Sequence, residues 1–173
     1  LDLRLDHRAP LWRLGKLERL FALFQEAEEL ARGLGDPRRL DKIYAFLVQY
    51  YWAMGEYQRA IEYGESCLTA AESFNDLTLR VTGNLYLGHA YHSCSNYPKA
   101  VEYLGRNVEL LEGENAFERF GLSGLPYVVS CSWTVDSLAE LGEFDRGLEY
   151  ALRGTRVAET AGHPYSLAAI RTA

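Results

Sequence analysis

A chain of 173 residues with a net charge of −6 has the length of one ordinary domain or of a short run of repeats. Apolar residues make up 48% and charged ones 24%, which supplies a core and argues against disorder. The acidic balance disfavours a nucleic-acid backbone or an anionic lipid surface as partner, and no apolar run approaches the roughly 20 residues of a membrane-spanning helix.

In chain order, the sequence opens on Leu1-Asp2-Leu3-Arg4, with neither an initiator Met nor a signal-peptide pattern, so a piece of a longer protein is expected. Pro10 falls inside the first apolar pattern, and the helix there should be short, kinked or irregular. Apolar residues at three- and four-residue spacing predict helices over 38–54, 57–74, 77–93, 97–111, 125–141 and 144–161. The steps Asp36-Pro37 and His163-Pro164 suit helix starts, and the glycines between patterns suit helix ends. No alternating run suggests a strand. The fold class is all-α, built of stacked helix hairpins.

The chain repeats itself. GKLERL from Gly15, GEYQRA from Gly55, SNYPKA from Ser95 and GEFDRG from Gly142 are spaced by 40, 40 and 47 residues. A second marker keeps phase: Gly35-Asp36-Pro37, Asn75-Asp76-Leu77 and Gly162-His163-Pro164. Two independent markers on one period make a repeat array. The units expected are 1–35, 36–75, 76–124 and 125–162, with a truncated fifth at 163–173, about four and a half repeats in a single domain. Seven extra residues lie near 113–124, where ENAFERFGLSGL carries Phe117, Phe120, Leu122 and Leu125. They read either as a long connector whose phenylalanines cap the core or as a projecting element that touches a partner.

Little in the sequence promises chemistry. His89 and His92 share a helix face, but no third ligand stands on that helix and zinc takes three or four, so groove-facing polar residues are expected and no metal. Cys67, Cys94 and Cys131 are odd in number and widely spaced, which suits a reducing cytoplasm, and each is read at a packing position. Glu26, Glu28 and Glu29, and Glu140 and Glu143, sit on polar faces or turns and read as solvated. GLSGLP lacks the lysine and spacing of a phosphate loop. No catalytic residue and no cofactor is expected.

Leu87-Gly88-x-x-Tyr91, the turn at Ser95, then Tyr97 and Ala100, resemble the tetratricopeptide repeat pattern, and Tyr44, Leu47, Tyr51, Gly55, Tyr57 and Ala60 repeat it. The small Gly88 and Ala100 would let paired helices approach. The resemblance implies a right-handed α-solenoid whose first helices line a concave groove that holds a protein or peptide. The groove positions it implies are Phe46, Gln49, Trp52, Tyr86, His89, His92, Ser93, Trp133, Asp136 and Glu140. The period departs from the family's ~34, and the added residues are expected to lengthen the second helix of each pair. The last full repeat has Val135 where Gly88 sits and Gly147 where Ala100 sits. More narrowly, DLRLDHRAPLWRLG, ARGLGDPRRL, LYLGHAYH and ERFGLSGLP resemble the C-terminal repeat region of bacterial class III adenylate/guanylate cyclases that carry an AAA-type ATPase module. That implies a non-catalytic interaction scaffold in a multidomain signalling protein, or a regulatory domain that binds only its own chain. At the end, 163–173 starts a helix without a following cap, so Leu167 and Ile170 are expected to be exposed and to drive self-association.

Overall fold

The computed structural model describes residues 8–173, apart from the side chains at 8, 9, 13, 37 and 38. The elements in order are α1 (Arg8–Arg13), α2 (Leu17–Gly33), α3 (Pro37–Ala53), α4 (Tyr57–Ser73), α5 (Leu77–Ser93), α6 (Tyr97–Leu110), a 3-10 turn (Gly113–Phe117), α7 (Pro126–Glu140), α8 (Phe144–Ala161) and α9 (Pro164–Thr172). The described residues contain no strand. Six helices fall within a residue or so of the ranges read from the pattern. The first helix is described from Arg8 and ends at Arg13, with Pro10 inside it, while the opening residues read as a chain start lie outside the described part.

One turn is used again and again. The backbone takes positive φ at Gly15, Gly35, Gly55, Asn75 and Ser95, every 20 residues, and again at Gly142 and Gly162. At each of the first five turns the next amide reaches back five residues, as Glu56 N–H donates to the Tyr51 carbonyl (2.9 Å) and Asn96 N–H to that of Tyr91 (2.8 Å). This satisfies carbonyls that a helix end leaves open. Asn and Ser take the left-handed position at two of these turns, which hid the half-period from a search for glycine. Asp36, Asp76 and Asn96 then cap the next helix by accepting from the amides of Arg39, Leu79 and Lys99. The 40-residue period is therefore two 17-residue helices with two three-residue turns, as in α3 and α4. The added length is shared by both helices, which corrects the expectation that the second one carries it.

Consecutive helices pack in pairs, and the alternate helices α3, α5, α7 and α9 also pack on one another in that order. They form an inner layer, with α4, α6 and α8 outside it: an α-solenoid. Helix spacing is set by leucines seated on glycines. A Cβ on Gly64 would stand 2.5 Å from Leu87 Cγ, and one on Gly88 2.4 Å from Leu104 Cγ, too close for a side chain of any kind. Leu87, Leu104 and Ala100 are fully buried, and each leucine so buried is worth about 1.5–3 kcal/mol. In the last full pair the demand moves to Gly154, where a Cβ would stand 2.9 Å from Cys131 Cβ, while at Gly147 a Cβ would meet nothing nearer than 3.8 Å. Buried polar groups tie the layers. Asn107 on α6 donates to the Val81 carbonyl (2.9 Å) and to Ser130 Oγ (3.4 Å), and accepts from Asn84 (3.3 Å).

Two packing expectations need correcting. Cys67 and Cys131 are buried as read, but Cys94 caps α5 and is exposed. Leu167 is half-buried and Ile170 only 5% exposed, because α9 docks on α7 and α8, with Ser132 Oγ donating to the Ala169 carbonyl and Leu125 N–H to Ser166 Oγ (both 3.0 Å). The exposed apolar row lies instead on α8, at Phe144, Leu148 and Leu152.

These contacts give opposite signs to two small substitutions. Gly88→Ala should lower the melting temperature, because Leu104 must move. Gly147→Ala should raise stability by roughly 0.5–1 kcal/mol, because the methyl makes only ordinary contact with Leu138 and the helix loses a flexible residue. Ala100→Trp should destabilise by about 1–3 kcal/mol or more through overpacking. Thermal melts of the three variants decide, and a stabilised Gly88→Ala would refute the seating of Leu104.

Candidate protein-binding groove

The inner layer curves around a cavity of about 270 Å³. Its walls come from the four inner helices, from α1 and from the connector between α6 and α7: Trp12 on α1, Gln49 and Trp52 on α3, Tyr86 and His89 on α5, Trp133 on α7, Tyr165 on α9, and Leu122 to Gly124 in the connector. Helices α1, α3, α5, α7 and α9 can share one cavity only if they line the concave side.

Five of the ten expected groove positions meet here: Gln49, Trp52, Tyr86, His89 and Trp133. Phe46 instead stacks on Phe24 (6.1 Å between centroids) and belongs to the core beside the groove. His92, Ser93, Asp136 and Glu140 lie beyond the cavity, toward the C-terminal ends of α5 and α7, with Glu140 exposed. The aromatic rings form one connected group. His89 lies against Trp133 at 4.3 Å between centroids, Trp52 at 5.4 Å and Tyr86 edge-on at 5.8 Å, and Trp52 meets Trp133 edge-on at 5.9 Å. Such geometries suit the ring quadrupoles.

The polar atoms have defined roles. Trp52 Nε1–H donates to Ser93 Oγ (2.9 Å). Ser137 Oγ donates to the Trp133 carbonyl (2.7 Å), so at its 2.9 Å contact with His92 Nδ1 the hydroxyl accepts, and His92 carries its proton on Nδ1. His89 has no such partner, and both of its ring nitrogens are buried without a hydrogen bond. Burial, with the neighbouring His92 second, pushes its pKa down to about 3. His92 is lowered as well, chiefly by burial, while Asp136 and Glu140 pull the other way. Burial raises the Asp136 carboxyl, with His92 opposing. Burial also pushes the Cys67 and Cys131 thiols up to about 12, far from thiolate character. No group of three or more His, Cys, Asp or Glu among the described residues is placed to hold a metal ion, and no helix among them is long and apolar enough to cross a membrane.

The connector is folded, not projecting. Phe120 and Gly121 both have positive φ, and Leu122 N–H donates to the Arg119 carbonyl (2.8 Å), a tight turn of the primed kind. The Arg119 guanidinium holds the Leu122 carbonyl at 2.8 and 3.1 Å. Phe120 packs on the core as one reading had it, and Phe117 is exposed. Leu122 packs against the groove side of the core. Sequence reasoning missed Trp12, Leu122 and Tyr165. Trp12 had a signal, since it stands 40 residues before Trp52. Leu122 had none, because its position depends on a turn outside the period.

No family model matches the chain. It is similar to the 43 kDa receptor-associated protein of the synapse from Tetronarce californica, at 28% identity over 104 residues, which is 59% of this chain and 25% of that protein. Among solved structures it is similar to NprR in complex with its cognate peptide NprX, with a TM-score of 0.72, 19% identity, and coverage of 87% of this chain and 42% of that one. The chain thus spans a quarter of the length of the curated relative and under half of the structural one. At this identity the second likeness establishes the fold.

The buried imidazole makes stability depend on pH. His89 is neutral when folded and titrates near 6.5 when unfolded. The unfolded state therefore binds the extra proton first, so this contribution is whole above about pH 6.5 and is lost as pH falls toward about 3. Between pH 7.5 and 5.5 it should cost about 1 kcal/mol. Urea melts should show that loss in the native chain and a shallower pH slope in His89→Gln. Equal slopes would mean that His89 is not sealed from water.

Proposed function

We propose that the chain is a non-catalytic scaffold that holds a protein or peptide segment in the groove of its inner layer. One observation carries the reading: a cavity walled by aromatic side chains from five helices, with polar groups along the same face beyond it. Aromatic anchors in a polar frame are the make-up of recognition surfaces. The solved neighbour, NprR, is a complex with its cognate peptide, which supports the same use of the fold. The repeat units are 1–35, 36–75, 76–124 and 125–162 with a partial fifth, in one domain. The resemblance of DLRLDHRAPLWRLG and ERFGLSGLP to the repeat region of bacterial cyclases carrying an ATPase module suits a place in a multidomain signalling protein, and three unpaired cysteines suit the cytoplasm.

A second reading has its own observation. Phe144, Leu148 and Leu152 form an exposed apolar row along α8, 59–70% exposed. Such a row suits contact with another copy of the chain or with another part of the parent protein, as a domain that regulates its own chain would need. Light scattering at micromolar concentration should show a dimer or larger species that Leu148→Glu with Leu152→Glu converts to monomer. A monomer in the native chain would remove self-association.

The groove reading is tested by selecting random peptides displayed on phage, with the Trp133→Ala chain as the counter-target. Peptides should be enriched on the native chain, and Trp52→Ala or Trp133→Ala should weaken their binding at least tenfold. Both variants should melt closer to the native chain than Ala100→Trp does. Selected peptides that ignore both tryptophans would place binding elsewhere.

A further inference from the structure

All three tryptophans of the chain, Trp12, Trp52 and Trp133, line this one cavity although 121 positions separate the first from the last. None of the charged side chains among the described residues lines it. At about 270 Å³ it falls just below the ~300–1,000 Å³ of sites that take whole small molecules, so one large side chain is the scale that fits. His89 adds a demand. Its imidazole is 6% exposed, with one donor and one acceptor nitrogen in the neutral ring and neither satisfied. A buried polar group without a partner is costly, and a ligand that pairs with it recovers that cost.

We infer that this cavity seats one uncharged aromatic side chain with a polar handle, the indole of a tryptophan or the phenol of a tyrosine, carried by the bound peptide. This rests on the peptide-binding reading above and narrows it. The aromatic body fills the space bounded by Trp52, Trp133 and Leu122, and the His89 ring, whose nitrogens are buried in the free chain, turns to accept its N–H or O–H. A cation is the rival, because tryptophan faces attract ammonium groups. However, an ion entering here would leave its water behind with no carboxylate on the cavity wall to replace it. The nearest acidic groups on α7, Asp136 and Glu140, stand outside the cavity beside His92. A phenylalanine would fill the space and leave His89 unpaired, so it binds more weakly.

The native chain labelled with 5-fluorotryptophan gives three ¹⁹F NMR signals, one from each wall of the cavity. Titration with N-acetyl-tryptophanamide and N-acetyl-tyrosinamide should move all three at millimolar concentration. N-acetyl-phenylalaninamide should bind about five- to tenfold more weakly, the scale of one neutral hydrogen bond. The amide of N-acetyl-trimethyllysine should leave the signals in place. In His89→Phe the preference for tryptophan over phenylalanine should fall below twofold. Equal binding of the tryptophan and phenylalanine amides by the native chain would overturn the role of His89. Tighter binding of the trimethyllysine amide would make the cavity a cation cage, and three unmoved signals would remove the subsite. If phage peptides are nevertheless enriched through Trp52 and Trp133, the groove reading stands and only this inference falls.

Discussion

Everything in this fold hangs on how closely the helices can approach. Leu87 rests where Gly64 has no Cβ, and Leu104 where Gly88 has none. With those helices drawn in, α5 is wrapped by α3, α4, α6 and α7, and its residues from Val81 to Tyr91 are all buried. A helix enclosed on every side has no polar face to offer, so its Asn84 and His89 go inside with the rest. Asn84 finds Asn107 and through it the Val81 carbonyl and Ser130. His89 finds only rings. The unusual feature of the cavity is thus a consequence of helix spacing set elsewhere.

The class of fold and the helix positions were legible because two periodic signals coincide. Apolar residues recur at helical spacing, and the turns recur at a fixed interval. The half-period was harder to see, since Asn75 and Ser95 stand where glycine marks the other turns. Both residues are small and polar, which eases the left-handed conformation. The site was half legible. Gln49, Trp52, Tyr86, His89 and Trp133 follow from the resemblance to the tetratricopeptide pattern, laid on the phase of the repeat. Which of the ten positions close around a cavity and which continue past it depends on the curvature of the layer, and curvature is the sum of small rotations at each interface. No single residue encodes it. The same holds for α9: Ile170 reads as exposed when the following helix is missing, yet its own docking on Gly154 and Cys131 buries it, with Ile170 Cδ1 2.8 Å from where a Gly154 Cβ would stand.

The connector obeys a different rule. Its path owes nothing to the period and is fixed by local hydrogen bonds. Phe120 holds a positive φ, which costs a bulky residue of order 1–3 kcal/mol. Arg119, bound to the Leu122 carbonyl, and Phe120, packed on the core, hold that turn in place. Gly124 completes the fit, because a Cβ there would stand 2.7 Å from the Tyr165 ring. The insertion therefore brings Leu122 to the groove and joins α7 to α9 across the cavity mouth. It is a wall of the site, although its length alone suggested either a spacer or an arm.

His89 and His92 show how three residues along a helix can separate two chemistries. Both nitrogens of His89 are shut among aromatic rings and its charge is suppressed. His92 is only half-buried, holds Ser137 through Nδ1, and feels Asp136 and Glu140. A metal bridging the pair would need to strip His92 from Ser137 and to find a third ligand, which the described residues do not place there. The pair is better described as a boundary. On one side the groove is uncharged and aromatic, and on the other it carries the carboxylates of α7. Because the apolar half is walled by rings from five helices while the acidic half rests on α5 and α7 alone, shape is specified where charge is absent.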